Sequence, residues 1–253
     1  MIEKIKKLNK EGLILLDMHS HTNLSDGSHT WEEAIQKAEK EGFNICITDH
    51  NEIKASIKIQ NNNFTLYGSE ITTSDVIDVL VYFSSPKTIE EFYKKYIEKA
   101  KIKEKLFKFH KSTISTAELL DYAKDYNALI IVAHPQAHHP KRSYEFFNKN
   151  SENKLLLRKV DAIEGFNSMM PKNANYKSIK WAEEIKKPII ASSDAHSLKY
   201  LGYGLTACYA NTKDDFITQI IKNKSMIYGK EIPLIKKILE GANIIYKNLI
   251  LYK

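Results

Sequence analysis

The histidines and acids of this chain fall in short clusters. His19 and His21 stand two apart in Asp17-Met18-His19-Ser20-His21, and Asp26 follows in the turn Ser25-Asp26-Gly27. His50 closes Thr48-Asp49-His50, Glu70 closes Gly68-Ser69-Glu70, and His134 follows Ala133 and precedes Pro135. Asp194 and His196 repeat the alternate spacing in Ser193-Asp194-Ala195-His196. Alternate residues of a strand share a face, so two imidazoles spaced this way can grip one cation. Taken singly, each group has a plainer explanation: a hydrogen-bonded histidine, a turn aspartate, a solvated strand end. Together they strain that explanation. Eight such groups converging unpaired would repel one another or be poorly solvated, and divalent cations resolve the conflict by turning carboxylates and neutral imidazoles into ligands.

Convergence depends on the elements that carry the clusters. Apolar runs at Leu13–Met18, Phe43–Thr48, Phe64–Glu70, Val76–Phe83, Leu129–Ala133, Val160–Phe166, Pro188–Ser193 and Leu205–Ala210 read as short strands, several apolar throughout, as suits parallel strands buried on both faces. Helical patterns lie between them. Thr30 with Glu33, and Ser115 with Glu118, have the spacing of capping boxes. Ile89, Phe92, Tyr93, Tyr96, Ile97 and Ala100 make one helical stripe, and further helices are expected over 174–186, 214–222 and from Pro233 to about Tyr246. This alternation predicts one parallel α/β domain, barrel or doubly wound, which gathers the carboxyl ends of its strands on one face. Five of the runs end in His, Asp or Glu.

The segment DMHSHTNLSDGSHTWEEAIQKAEKEGFNICITDHNEI resembles the first two motifs of the PHP (polymerase and histidinol phosphatase) superfamily. Gly68-Ser69-Glu70-Ile71, Ala133-His134-Pro135, and the stretch from Asp161 to Gly204 with IEGFN and SSDAH are similar to its later motifs. The resemblance spans about 13–210. It implies a distorted seven-stranded (β/α)7 TIM-like barrel with two or three divalent ions, zinc, manganese or iron. One ion would take His19, His21, Glu70 and Asp194, a second Asp26, His50 and His196, and a third Glu70 and His134 with one more ligand. Where similar family members often carry a histidine, this chain has Asp78, which is either that ligand or an edge residue facing solvent. The resemblance also implies metal-dependent hydrolysis of a phosphate ester, with metal-activated hydroxide attacking phosphorus. After His134 comes PQAHHPKR, where His138 or His139 is a candidate general acid and Lys141 or Arg142 a candidate phosphate ligand.

The chain is long enough, at 253 residues, to bury a large core without disulfides, and an apolar fraction of 43% is ordinary for a globular protein. We expect a single domain over 1–253, with the barrel at about 13–210 and a C-terminal helical extension at about 213–253. Cys46 and Cys208 lie in strand-like runs outside any metal spacing, so buried reduced thiols and a cytoplasmic location are expected. The basic N-terminus is followed by too short an apolar stretch for a leader, and no run reaches membrane-span length. A net charge of +7 favours anionic partners. The expected partner is a small phosphorylated substrate such as a nucleotide. The alternatives are a nuclease on longer single strands, for which lysines 94, 95, 99, 101, 103, 105, 108 and 111 with interleaved aromatics argue, a catalytically inactive PHP binding module, and carbon–nitrogen or ester hydrolysis of the amidohydrolase kind. The sequence leaves oligomeric state open.

Overall fold

All eight apolar runs form strands. The computed structural model describes residues 2–59, 64–102, 111–137, 142–233 and 235–242. The strands are β1 (Ile14–Asp17), β2 (Asn44–Ile45), β3 (Tyr67–Thr72), β4 (Asp78–Phe83), β5 (Leu129–Val132), β6 (Ala162–Asn167), β7 (Ile189–Ser192) and β8 (Gly204–Cys208), with a ninth, β9 (Met226–Gly229), after them. The helices are α1 (Ile2–Lys10), α2 (Trp31–Glu41), α3 (Pro86–Phe92), α4 (Thr116–Asp125), α5 (Ser143–Asn148), α6 (Ser151–Leu156), α7 (Lys172–Glu184) and α8 (Lys213–Ile221). Both capping boxes are formed, at Thr30/Glu33 and Ser115/Glu118. The segment beyond 213 thus supplies a helix and a strand, and residues 235–242 are helical.

The strands make two sheets, β2-β1-β8-β9 and β3-β4-β5-β6-β7, in place of the expected closed ring of seven. Two features account for the difference. Only residues 73–77 join β3 to β4, too few for a crossover, so these strands pair antiparallel, and β4 also runs antiparallel to β5. The expected all-parallel arrangement holds only for β1 with β2 and for β5, β6 and β7. Second, antiparallel β8 takes the edge of β1 from Ile14 to Leu16, so β7 reaches the β1 chain only beyond its end. There a single parallel bridge forms between Ser20 and Ala195. The opposite seam is closed by one bridge between His50 and Glu70. Among the described residues, no continuous ladder closes the ring.

A core lies between the sheets: Leu16, Met18, Cys46, Leu66, Leu80, Tyr82, Leu129, Ile131, Ala133, Ala162, Ile190 and Cys208. Each fully buried Leu or Ile there stabilises the fold by roughly 2 kcal/mol relative to exposure. The Tyr82 hydroxyl crosses this core to donate to the Met18 carbonyl. Both cysteines are free and buried, and burial pushes each thiol up to about 12, which leaves them unreactive. The outer faces are covered separately. Ile89, Phe92, Tyr93, Ile97, Leu119 and Trp181 pack on the five-stranded sheet, and Ile5, Leu8, Ala34 and Ala38 on the other. The stripe from Ile89 to Ala100 is therefore a packing face.

The sheets approach closely where β8 passes β7. Thr206 Oγ1 accepts from the Ala191 amide at 3.0 Å and donates back to the Ala191 carbonyl at 2.9 Å. A Cβ on Gly204 would stand 1.9 Å from the Ser192 carbonyl oxygen, a backbone atom that cannot swing aside. Gly204→Ala is expected to cost about 3 kcal/mol and to lower the melting temperature by roughly 6–12 °C. An unchanged melting curve would refute this contact.

Candidate metal centre

The core ends in a polar layer. β1 leads into His19 and His21, β2 into His50, β3 ends in Glu70 and Thr72, β4 begins with Asp78, and the chains leaving β5 and β7 carry His134 and Asp194. Buried carboxylates hold these chain ends in place. Asp17 accepts from the Ser193 amide at 2.9 Å and the Gly202 amide at 2.8 Å, tying the exit of β7 to β1, and burial pushes its carboxyl up to about 6. Asp49 accepts from the Thr22 amide (2.7 Å), the Thr22 hydroxyl (2.7 Å) and the Ser25 hydroxyl (2.6 Å). That set folds residues 22–27 back over the strand end and brings Asp26 to the histidines. His134 and Asp194 themselves adopt left-handed backbone, with φ of 25° and 53°, at a cost of about 1–2 kcal/mol each. Their amides are held by Glu164 Oε2 at 2.6 Å and by the His19 carbonyl at 2.8 Å.

Glu70 stands at the centre. Its Oε2 lies 3.3 Å from His19 Nε2, 3.3 Å from His21 Nε2 and 3.1 Å from His50 Nδ1, and its Oε1 lies 3.0 Å from His134 Nε2. Asp194 Oδ1 is 3.5 Å from His19 Nε2 and 3.3 Å from His21 Nε2. Asp26 Oδ2 is 3.3 Å from His196 Nε2 and 3.7 Å from His50 Nε2. Asp78 Oδ2 is 3.8 Å from His134 Nε2, and Thr72 donates to Asp78 Oδ1 at 2.5 Å. Four overlapping groups have ligand atoms mutually within 4.8 Å: His21, Asp26, His50 and His196; His19, His134 and Asp194; His19, His21 and Glu70; His50, Glu70 and Asp78.

This donor set fits a cation. Glu164 can only accept, so the proton at its 2.9 Å contact with His19 sits on His19 Nδ1. In neutral His19 the Nε2 lone pair then faces the carboxylates of Glu70 and Asp194. The Asp194 carbonyl likewise accepts from His196 Nδ1 at 3.0 Å and leaves Nε2 for the centre. Among the described residues, the buried His21 Nδ1 and His134 Nδ1 have no hydrogen-bond partner. A second carboxylate or carbonyl behind a histidine is the usual means of fixing a metal ligand's tautomer.

Without a cation, the groups compensate one another. Burial would lower the His134 and His196 imidazoles, but Glu70 beside the first and Asp26 beside the second hold both up at about 9. Burial likewise opposes the charge on His19, which Asp194, Glu70 and Glu164 hold well above its ordinary range. Burial would raise Asp26 and Glu70, yet His196 and His50 around the first, and His50 and His19 around the second, hold them well below theirs. These raised imidazoles stabilise the metal-free fold fully below their ordinary value of 6.5, and that contribution fades as pH rises through about 9. Ligation needs the neutral form, so cation binding near pH 7.5 should expel protons and tighten as pH rises. Calorimetric titration in buffers of differing ionisation enthalpy measures this. Identical heats in all buffers would contradict it.

All eight expected ligands and Asp78 meet in one layer. Asp78 is fully buried, not an edge residue facing solvent. His138, His139 and Lys141 lie outside the described residues. Arg142 bonds Glu145 at 2.6 Å and the Ala137 carbonyl at 3.2 Å, in a groove of about 330 Å³ shared with Tyr144, Lys177 and Lys180. It is thus already engaged by protein groups. Sequence reasoning gave no role to Glu164, Asp49 or Asp17. Glu164 had a signal: it is a lone acid inside an apolar strand, in phase with the inward-facing Ala162.

Fold and donor cluster together define a mixed α/β protein whose buried polar layer is built from groups able to hold cations. A family model described as the PHP domain matches residues 17–187, and a second, described as PHP-associated, matches 172–225. The chain belongs to the PHP domain family. No curated protein matches its sequence. Among solved structures it is similar to a Bifidobacterium adolescentis protein named as a metal-dependent phosphoesterase, with 18% identity, a TM-score of 0.55, and coverage of 87% of this chain and 98% of that one. It is also similar to the lesion-specific endonuclease Q from Pyrococcus furiosus, with 16% identity and a TM-score of 0.63 over 85% of this chain but 57% of that one. A third is an amidohydrolase from Chromobacterium violaceum, at 13% identity and a TM-score of 0.58, covering 83% of this chain and 97% of that one. Likeness at this level of identity establishes shared fold, not shared reaction.

Proposed function

We propose that the protein hydrolyses phosphate esters of a small substrate such as a nucleotide, using two or three divalent ions of zinc, manganese or iron. The observation that carries this reading is Glu70, whose two oxygens face histidines on both sides and so can bridge ions. His19, His21, Glu70 and Asp194 would hold one ion, Asp26, His50 and His196 a second, and Glu70, His134 and Asp78 a third. When bound, such ions lower the pKa of water and neutralise charge developing on phosphoryl oxygens. The chain's own residues fix the geometry. Glu164 keeps the His19 proton on Nδ1, the Asp194 carbonyl does the same for His196, and Asp49 holds the Asp26 loop closed. With no side-chain nucleophile required, two inert cysteines and the lack of a G-x-S-x-G motif are no obstacle. His138 and His139 remain the candidates for donating a proton to the leaving group.

The test is elemental analysis of purified protein together with a screen of phosphomonoesters, dinucleotides and short single strands in manganese and in zinc. At least two ions per chain and turnover of a phosphate ester are expected. A well-folded protein that takes up no metal would end this reading. A nuclease is the second reading. Of the aromatics interleaved with the lysines, Phe92 and Tyr93 are buried and offer bases no stacking platform, Tyr96 is half-buried, and Phe107 and Phe109, like Lys103, Lys105 and Lys108, lie outside the described residues. On the small-substrate reading turnover should depend only weakly on salt, whereas phosphate contacts along a strand would make it fall steeply.

A further inference from the structure

The histidine-rich layer has a cation-bearing rim that the sequence motifs do not mark. On the edge of β3 away from β4, the backbone rungs continue past His50. The Glu70 amide donates to the Thr48 carbonyl (3.1 Å), the Asn51 amide to the Glu70 carbonyl (2.8 Å), and the Ser112 amide to the Thr72 carbonyl (2.9 Å). Thr72 and Lys111 form a parallel bridge on that last rung, as His50 and Glu70 do on the first. Paired residues of a parallel bridge share a face, and alternate residues of one strand do too. Lys111 therefore lies on the face of β3 that carries Glu70 and Thr72, about 7 Å further out than His50. Thr72 in turn contacts Asp78 on the β4 side.

The backbone around Lys111 is fixed. Its carbonyl accepts from the Ile102 amide at 3.0 Å, and the Thr113 amide donates to the Ala100 carbonyl at 2.9 Å. Lys101 bridges antiparallel to Ser112 and so faces the other way, where it pairs with Glu52 at 3.1 Å. Lys111 is half-buried and, among the described residues, makes no ion pair. A half-buried lysine on the β3 face that carries Glu70, with its backbone hydrogen-bonded and no ion pair among the described residues, is placed to receive an anion that enters from solvent. Arg142, by contrast, already has Glu145.

Resting on the phosphoesterase reading above, we propose that Lys111 contacts the substrate's phosphoryl oxygens at the mouth of the centre, in the role the sequence assigned to Lys141 or Arg142. Lys111→Met and Lys111→Arg test it, in manganese-loaded protein, by p-nitrophenyl phosphate kinetics and by calorimetric titration with inorganic phosphate. Lys111→Met should raise KM and weaken phosphate binding about ten- to hundredfold, the worth of one charge-assisted hydrogen bond. Metal content and melting temperature should not change, and Lys111→Arg should restore most of the affinity. Phosphate affinity in Lys111→Met equal to wild type overturns the role of Lys111 and leaves the phosphoesterase reading standing. Wild-type protein that binds phosphate yet hydrolyses no ester defeats that reading instead, and Lys111 is then judged on phosphate affinity alone. Wild-type protein that binds no phosphate defeats both.

Discussion

Alanine at both His19 and His21 is expected to reduce phosphoester turnover by at least about a thousand-fold, because ligated ions supply several kcal/mol of transition-state stabilisation. Both imidazoles face Glu70 and Asp194 at 3.3–3.5 Å, so the double variant strips one side from the proposed bridging position. The folded chain should survive. The apolar core between the sheets and the two outer clusters do not include these residues. A cooperative melt with loss of one bound ion is the accompanying result to seek. Full turnover in the double variant would rule out the assigned centre.

Glu164→Gln is the second large effect, and it acts without touching the ions. Every partner of the Glu164 carboxylate donates. His19 Nδ1 (2.9 Å) and the Ser192 hydroxyl meet Oε1, and the His134 amide (2.6 Å) and Asn167 Nδ2 (3.0 Å) meet Oε2. Glutamine is nearly isosteric but must turn one NH₂ toward a pair of donors. Turned toward His134 it opposes a backbone amide that cannot reverse. Turned toward His19 it forces the proton from Nδ1 to Nε2 and removes the lone pair that faces the centre. Metal affinity should fall about ten- to hundredfold, the usual range for such supporting carboxylates. Competition titration against a chromogenic chelator reads it directly. Affinity equal to wild type would show that the carboxylate is structural only.

Much of this layout was legible in the sequence because the chemistry and the packing use the same residues. An apolar run that ends in His or Asp marks both a buried strand and the end of it. The strands and capping boxes were found for that reason, and the ligand clusters followed. β4 shows where the reading ran out: an apolar run looks the same whichever way it points, and only the shortness of the link from β3 settles its direction. β2 was read as Phe43–Thr48 but is regular only at Asn44–Ile45, although its rungs go on through the Cys46 amide to Asp17 and the Thr48 amide to Ser20. β9 escaped because its Met226-Ile227-Tyr228-Gly229 is short and only half-covered, with no apolar run to announce it. α1 was not read as a helix, although Ile5 and Leu8, three apart, are the buried stripe of an amphipathic helix. Glu164 and Asp49 were hidden differently. Their work is to orient other side chains, and that depends on who stands opposite across the fold.

The single-bridge seams between the sheets have a consequence for how the molecule comes apart. His19, His21 and His50 ride on one sheet, while Glu70, Asp78, His134 and Asp194 ride on the other. Any ion shared among them would act as a clasp across a hinge line that the backbone scarcely fastens. Chelated protein should then begin to open along that line, with the amides near Ser20 and Asn51 the first to exchange their hydrogens for deuterium, well ahead of those inside β4 and β5.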